Sequence, residues 1–249
     1  MNDDQTWAPL RQEIDRWQAA GRTARLWLRD DDVVEPTDVL ERLLDVTRPP
    51  AIPLTLAAVP AFAGQALADR LKTEQHVLVA VHGWSHRNHA PPEEKKQELG
   101  GHRPRETVLG ELRDGIAALR RLFPETLLPM LVPPWNRISA DLIPELPGLG
   151  FTTLSTFGKA KADSGIRLLN THVDVVNARG QRGNRPHQDL VAELVGELQT
   201  RFENGGEPVG ILTHHLVHGA SEWDFMARLF EETTGKPGIA WLPARELLT

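Results

Sequence analysis

The stretch ARLWLRDDD, residues 24–32, decides the predicted fold of this chain. Its first half, Ala24 to Leu28, has the length and apolar composition of a buried β-strand, and it leads directly into three consecutive aspartates. Successive side chains of a strand point to opposite faces, so at most two of the three aspartates can serve one site well. The stretch therefore predicts a buried strand with acidic residues at its carboxyl end.

Short apolar runs of this kind alternate with amphipathic segments along the rest of the chain. Helical spacing of apolar residues is found in 105–123, 188–203 and 223–230, and residues 1–22 are expected to form an N-terminal helix. Repeated alternation of strands and helices predicts an α/β protein with a mostly parallel sheet, either an open doubly wound sheet or a closed barrel. The further predicted strands are 52–59, 76–83, 127–134, 151–156, 166–176 and 209–215, with a weaker one at 239–244.

Composition excludes several classes of protein. The chain has 249 residues, a formal net charge of −6 and no cysteine, so disulfides, thiolate nucleophiles and cysteine metal sites are absent. Dispersed basic residues argue against nucleic-acid binding, and no stretch approaches the ~20 apolar residues of a membrane span. The acidic N-terminus does not resemble a secretory signal. We expect one cytoplasmic domain over residues 1–249.

Polar side chains gather where the predicted strands end. In parallel α/β folds, sites form at the carboxyl ends of the strands, so these groups are expected to meet on one rim. The four-residue spacing of His82 and His86 lets both imidazoles converge on one metal ion. Taken singly, each group also has a structural interpretation, such as a solvated turn, a buried core histidine or a rigid proline loop. The groups are Asp30–Asp32, His82–His86, Pro133–Arg137, His172–Asp174 and Thr213–His215.

These residues resemble, in order and spacing, the motifs of the polysaccharide deacetylases, carbohydrate esterase family 4. The resemblance extends over about residues 24–245. It implies the fold of that family, a distorted (β/α) barrel of about seven parallel strands. The first family motif, Thr-Phe-Asp-Asp-Gly, is similar to residues 28–32, which implies Asp30 as general base and Asp31 as metal ligand. Because a third aspartate follows, Asp32 leaves the register open by one residue.

The second motif, His-Ser/Thr-x-x-His, is similar to residues 82–86. This resemblance implies that His82 and His86 both bind the metal, with Gly83 in place of the usual hydroxyl residue. The fifth motif, Leu-x-His, is similar to residues 212–214. It implies His214 as general acid and Leu212 as part of a pocket for the acetyl methyl group.

The third motif, Arg-Pro-Pro-Tyr-Gly, is similar to residues 132–136. Val132 stands where the family has the arginine that orients the base, and Arg29 or Arg137 is a candidate to replace it. The fourth motif supplies an acid that orients the catalytic histidine, and Asp174 matches it, with His172 and His215 as further candidate site residues. The residues expected to contact substrate from the third motif are Pro134, Trp135 and Asn136.

The resemblance implies a metal-dependent hydrolase that acts on a carbon–nitrogen bond other than a peptide bond. The expected cofactor is a divalent metal, with zinc first and iron, cobalt or nickel also compatible with nitrogen and oxygen ligands. The expected partner is a small-molecule or oligosaccharide substrate carrying an N-acetyl group. Two alternatives stay open: hydrolysis of a non-sugar amide on the same barrel, and a catalytically degenerate barrel that binds carbohydrate.

Overall fold

A computed structural model describes residues 3–160, 165–178, 181–182 and 185–248. The strands are β1 (Ala24–Val33), β2 (Leu54–Ala58), β3 (Val77–His82), β4 (Leu127–Val132), β5 (Thr153–Leu154), β6 (Arg167–Leu168), β7 (Val173–Asp174), β8 (Asn177–Ala178), β9 (Gln181–Arg182), β10 (Val209–Thr213) and β11 (Ile239–Trp241). The helices are α1 (Asp3–Ala19), α2 (Asp38–Thr47), α3 (Gln65–Leu71), α4 (Arg105–Leu122), α5 (His187–Asn204), α6 (Ala220–Thr233) and α7 (Ala244–Leu247). Short 3₁₀ helices lie at Pro134–Asn136, Ala140–Glu145, Pro147–Leu149 and His215–Val217.

Eight strands form one parallel sheet in the order β6, β5, β4, β3, β2, β1, β10, β7, and β11 pairs in parallel with the first residues of β1. The short pair β8 and β9 is antiparallel and separate. The predicted α/β class with a mostly parallel sheet is therefore confirmed. The predicted helical stripes are the buried faces of α4, α5 and α6.

The segment predicted as one strand, 166–176, forms two short strands at opposite edges of the sheet. Its first part, β6, pairs with β5, and its second part, β7, pairs with β10. Between them Thr171 bridges Phe157, and the His172 N–H donates to the Gly210 carbonyl at 2.7 Å. One continuous segment thus links both edges and curls the sheet into the distorted barrel that we expected.

Side chains of the sheet separate into two apolar clusters because they alternate along each strand. Leu26 and Leu28 of β1 belong to the larger cluster, which lies between the sheet and the helices. Trp27 belongs to the smaller cluster on the opposite face, inside the barrel. The interior therefore receives Trp27 and Arg29 from β1, and Arg29 is completely buried there.

Helix α1 packs against α5, α6 and β11. Its side chains Trp7, Leu10, Ile14 and Trp17 are buried, and Trp7 stacks on Phe225 of α6 with ring centroids 5.4 Å apart. Burial of large apolar side chains stabilises such packing by about 1.5–3 kcal/mol each. No described helix is long and apolar enough to cross a membrane.

Candidate active site

The carboxyl end of β1 departs from regular strand geometry. The pairing of β1 with β2 shifts register between Asp30 and Val33, as in a β-bulge, and Asp32 has a positive φ of 77°. A bulge breaks the strict alternation of side chains. As a result the neighbouring residues Asp31 and Asp32 both line one cavity at the carboxyl ends of the strands.

Asp32 lies beside both histidines of the 82–86 segment. Its Oδ1 is 3.0 Å from Nε2 of His82 and 3.2 Å from Nε2 of His86. The three candidate ligand atoms all lie within 4.8 Å of one another. One carboxylate oxygen and two imidazole nitrogens form a ligand set that catalytic divalent metal sites use.

The hydrogen bond on the far side of His82 fits a metal at this position. Its Nδ1–H donates to the Val132 carbonyl at 2.9 Å, which leaves Nε2 with a lone pair when the ring is neutral. That lone pair would face the Asp32 carboxylate, so the two acceptors need a cation or a proton between them. A backbone carbonyl on the other ring nitrogen is the usual way in which proteins orient a ligating histidine.

Electrostatics keep two of these groups in ligand form. Burial alone would raise the pKa of Asp32, but the hydrogen bond with His82 and the nearby His86 hold it well below its ordinary value. Burial lowers the pKa of the His86 ring, which favours the neutral form that can bind a metal. Burial would also lower the pKa of His82, but Asp32 and Asp31 raise it above the ordinary value. A bound cation would take the place of that proton.

The turn between the two histidines is shaped around a buried carboxylate. Glu98 is 1% exposed; its Oε2 accepts the Trp84 N–H at 3.0 Å, and its Oε1 accepts the N–H and the hydroxyl of Ser85 at 2.8 and 3.0 Å. Gly83 has φ 57°, and a Cβ there would lie 2.1 Å from Oε2 of Glu98. The glycine at this position is thus explained by its backbone conformation and by the closeness of Glu98.

Arg29 donates hydrogen bonds to both carboxylate oxygens of Asp31. Nε donates to Oδ1 at 2.8 Å and Nη2 donates to Oδ2 at 3.0 Å. The guanidinium is fixed in turn by Oγ of Ser155 at 2.7 Å and by Oδ1 of Asn136 at 2.8 Å. Arg29, one of the two candidates to replace the family's arginine, thus orients the carboxylate of an aspartate in the cavity.

Asp30 points away from the cavity. Its Oδ2 accepts the His215 backbone N–H at 2.8 Å, and its Oδ1 accepts the Nδ1–H of the same residue. Both side chains are almost fully buried, at 0% and 1% exposure. Burial would lower the pKa of His215, but Asp30 raises it above its ordinary value. This buried pair ties the end of β10 to β1, one peptide unit beyond His214.

His214 and Asp174 line the cavity from β10 and β7. The Nδ1 atom of His214 is buried and has no hydrogen-bond partner among the described residues. Asp174 accepts the Val176 N–H through Oδ1 at 3.0 Å. The expected hydrogen bond from His214 to Asp174 is therefore not formed through Nδ1. Leu212 is fully buried between Arg29 and Asp174 in the sheet and is not part of the cavity wall.

Trp135 and Asn136 of the third motif also line the cavity, which has a volume of about 390 Å³. The Trp135 ring is partly exposed and lies 4.4 Å from the His86 ring, centroid to centroid. Pro134, which was expected to contact substrate, is buried and does not line the cavity. Arg137 and Lys96 are further lining residues.

His172 lies outside this cavity. Its Nδ1 accepts the Gly210 N–H at 3.0 Å, so Nε2 carries the proton and donates to Glu207 at 3.1 Å. Its contacts are those of a structural histidine that joins β7 to β10.

No family model and no curated protein sequence matches this chain. Solved structures do match it at low identity. A family 4 carbohydrate esterase from Streptomyces lividans, in complex with acetate, is 17% identical, with a TM-score of 0.52 over 87% of this chain and 91% of the other. The chitin deacetylase of Colletotrichum lindemuthianum is 16% identical, with a TM-score of 0.55 over 90% of this chain and 86% of the other.

The chain has the fold of the polysaccharide deacetylases. The same fold is found in a mutant of a family 4 pseudoenzyme with restored activity, which is 15% identical with a TM-score of 0.54 over 91% of this chain and 68% of the other. A deacetylase fold therefore does not by itself establish activity, which has to be argued from the side chains of the site.

Within this deacetylase fold, the geometry favours the register of the first motif that the third aspartate had left open, one residue further along the chain. Asp32, rather than the expected Asp31, is grouped with the two histidines, and Asp31, rather than Asp30, lies in the cavity with an arginine partner. The physical reason is the bulge, which turns Asp31 and Asp32 toward the cavity and leaves Asp30 facing His215.

Three residues of the site were not found from the sequence: Glu98, Ser155 and Lys96. Glu98 lies in a polar run with Glu93 and Glu94, and nothing in the sequence separates it from these exposed acids. Ser155 follows a short strand and becomes recognisable only when Arg29 is seen to reach it. One signal in the sequence could have pointed to a residue such as Ser155. The charged residue Arg29 interrupts an apolar strand, and a buried charge needs polar partners.

Proposed function

We propose that this chain is a divalent-metal-dependent hydrolase that removes the acetyl group from an N-acetylated sugar. The observation that carries the proposal is the cluster of Asp32, His82 and His86, which opens into the same cavity as Asp31 and His214. The deacetylase fold favours a sugar substrate, since the solved structures include a chitin deacetylase.

In this proposal Asp32, His82 and His86 hold the metal. These ligands suit zinc first, and iron, cobalt or nickel would accept the same donors. When bound, such a metal would polarise the acyl carbonyl and would lower the pKa of a water molecule to about 7.

Asp31 is the proposed general base, in place of the expected Asp30. Each of its oxygens accepts one guanidinium N–H from Arg29 and keeps a lone pair that can take a proton from the attacking water. The clamp by Arg29, Ser155 and Asn136 fixes the carboxylate in one orientation. Asp30 is buried against His215 and cannot reach the substrate.

His214 is the proposed general acid. Its side chain lines the cavity, where the ring can donate a proton to the leaving amine, and its Nδ1 is buried without a hydrogen-bond partner among the described residues. Trp135 offers a partly exposed ring face beside His86, on which a sugar ring can stack.

The test is acetate release from N-acetylglucosamine and its oligomers, measured beside simple N-alkyl acetamides. Treatment with a chelator should abolish release, and Zn²⁺, Co²⁺, Ni²⁺ or Fe²⁺ should restore it. A matched control is His102→Ala, which removes an imidazole that pairs with Glu94 outside the cavity and should leave the rate unchanged.

Two outcomes would replace this proposal. Release from simple amides but not from sugars would favour the non-sugar amidase, which uses the same residues. Binding of a sugar without any hydrolysis by metal-loaded protein would favour the carbohydrate-binding barrel.

A further inference from the structure

Two cationic side chains of the cavity, Lys96 and Arg137, have no place in the proposed reaction. Both line the cavity, and neither takes part in an ion pair with any described residue. Arg29, the other arginine near the site, is fully engaged by Asp31, Ser155 and Asn136. The cavity therefore holds two positive charges that its own residues leave unmatched.

The position of these cations is built into the fold. Nη1 of Arg137 donates to the Lys96 carbonyl at 2.8 Å. Nearby, the Ser139 N–H donates to the Leu99 carbonyl at 2.8 Å, and Leu99 bridges Ile138 in parallel. The polar loop before α4 is thereby fastened to the segment after β4, which places Lys96 and Arg137 next to each other at the cavity. Among the hydrogen bonds of the described residues, the Arg137 side chain uses Nη1 alone, so its Nη2 and Nε are available to a ligand.

The acids of the cavity are engaged by other partners. Asp31 binds Arg29, Asp32 lies against His82 and His86, and Asp174 accepts a backbone N–H through Oδ1. A guanidinium is a fork-shaped donor that matches the two oxygens of a carboxylate or phosphate. An anionic ligand beside Arg137 and Lys96 would gain more from their charge than a neutral ligand would.

We propose that the substrate carries an anionic group, a carboxylate or a phosphate, near its acylated nitrogen, and that Arg137 and Lys96 bind that group. This inference rests on the proposed function for the reaction, but the recognition of the anion can be measured without turnover. It makes Arg137 and Lys96 determinants of specificity rather than of catalysis.

The experiment compares kcat/KM for N-acetylglucosamine, N-acetylmuramic acid and N-acetylglucosamine 6-phosphate in wild type, Arg137→Gln and Lys96→Gln. The two anionic probes separate a carboxylate from a phosphate. Lys95→Gln is the matched control, because Lys95 is exposed on the same loop and does not line the cavity. Binding of the same probes to metal-free protein by calorimetry provides a readout that needs no hydrolysis.

At least one anionic probe should be preferred over the neutral sugar, and the preference should decrease at high salt because the charges are partly exposed. Arg137→Gln should reduce that preference roughly tenfold and Lys96→Gln roughly threefold, with the neutral substrate and Lys95→Gln unaffected. Hydrolysis of all three sugars at rates that the variants change equally would overturn the inference and leave the proposed function intact. If nothing is hydrolysed, the proposed function fails, and anion binding that depends on Arg137 would still support the inference, whereas equal binding by the variants would overturn it.

Discussion

Asp32 adopts a left-handed backbone conformation, φ 77°, that costs a non-glycine residue about 1–3 kcal/mol. His86, Trp135 and Asn136 have the same kind of backbone, with φ of 55°, 55° and 56°, and all four residues line the candidate cavity. Such strain persists where the surrounding structure enforces it, and it is concentrated at functional sites. The backbone therefore points to the same site as the ligand geometry does.

His214 gives the sharpest prediction at the residue scale. His214→Ala should bind Zn²⁺ with nearly wild-type affinity, because the proposed metal ligands are Asp32, His82 and His86. Its turnover of an N-acetyl sugar should decrease by about 10²–10⁴-fold, since the leaving amine needs a proton. The measurements are calorimetric Zn²⁺ titration and initial rates of acetate release.

An activated ester provides the control for this role. The leaving group of 4-nitrophenyl acetate needs no proton, so His214→Ala should hydrolyse it nearly as well as wild type does. An equal loss of activity on the amide and on the ester would show that His214 does not act as the acid.

Among the elements, the turn from β3 toward α4 depends on Glu98. This buried carboxylate accepts hydrogen bonds from Trp84 and Ser85, which lie between the two candidate metal ligands. Glu98→Gln replaces one acceptor oxygen by an NH₂ group that faces N–H donors. We expect Zn²⁺ affinity to decrease by about 10–100-fold and stability to decrease by about 1–3 kcal/mol.

The matched control for this variant is Glu94→Gln, an exposed acid on the same loop that pairs with His102. It should change neither Zn²⁺ affinity nor the unfolding midpoint. Wild-type Zn²⁺ affinity in Glu98→Gln would show that the turn does not depend on this carboxylate.

Sequence patterns were enough to predict most of the helices and strands, but they did not predict the geometry at the end of β1. Runs such as 24–30 and 76–83 are apolar and bounded by polar residues, so their strands could be predicted. The bulge at Asp31 and Asp32 could not, because three identical residues give no signal of which one is displaced. The division of 166–176 into two strands also depends on partners that are distant in sequence.

At the scale of the whole molecule, the sequence predicted that the polar residues at the ends of separate strands meet on one rim. That prediction depends on how strands distant in sequence are arranged. Residues from the ends of β1, β3, β4, β7 and β10 line a single cavity, as parallel alternation requires. The same reasoning placed His172 there as a candidate, but its side chain faces Glu207. The position of a residue along its strand predicts at which end of the sheet it lies. The direction of its side chain depends on its hydrogen-bond partners, which the sequence does not reveal.

In the proposed site, Asp32 binds one divalent metal together with His82 and His86, while Asp31 serves as base. The most direct test is calorimetric titration of Zn²⁺ into metal-free wild type, Asp32→Asn and Asp31→Asn, a pair of isosteric changes at adjacent residues. Wild type should bind one equivalent; Asp32→Asn should bind at least about a hundredfold more weakly, and Asp31→Asn should stay close to wild type while losing activity. Weak binding by Asp31→Asn with normal binding by Asp32→Asn would contradict the account.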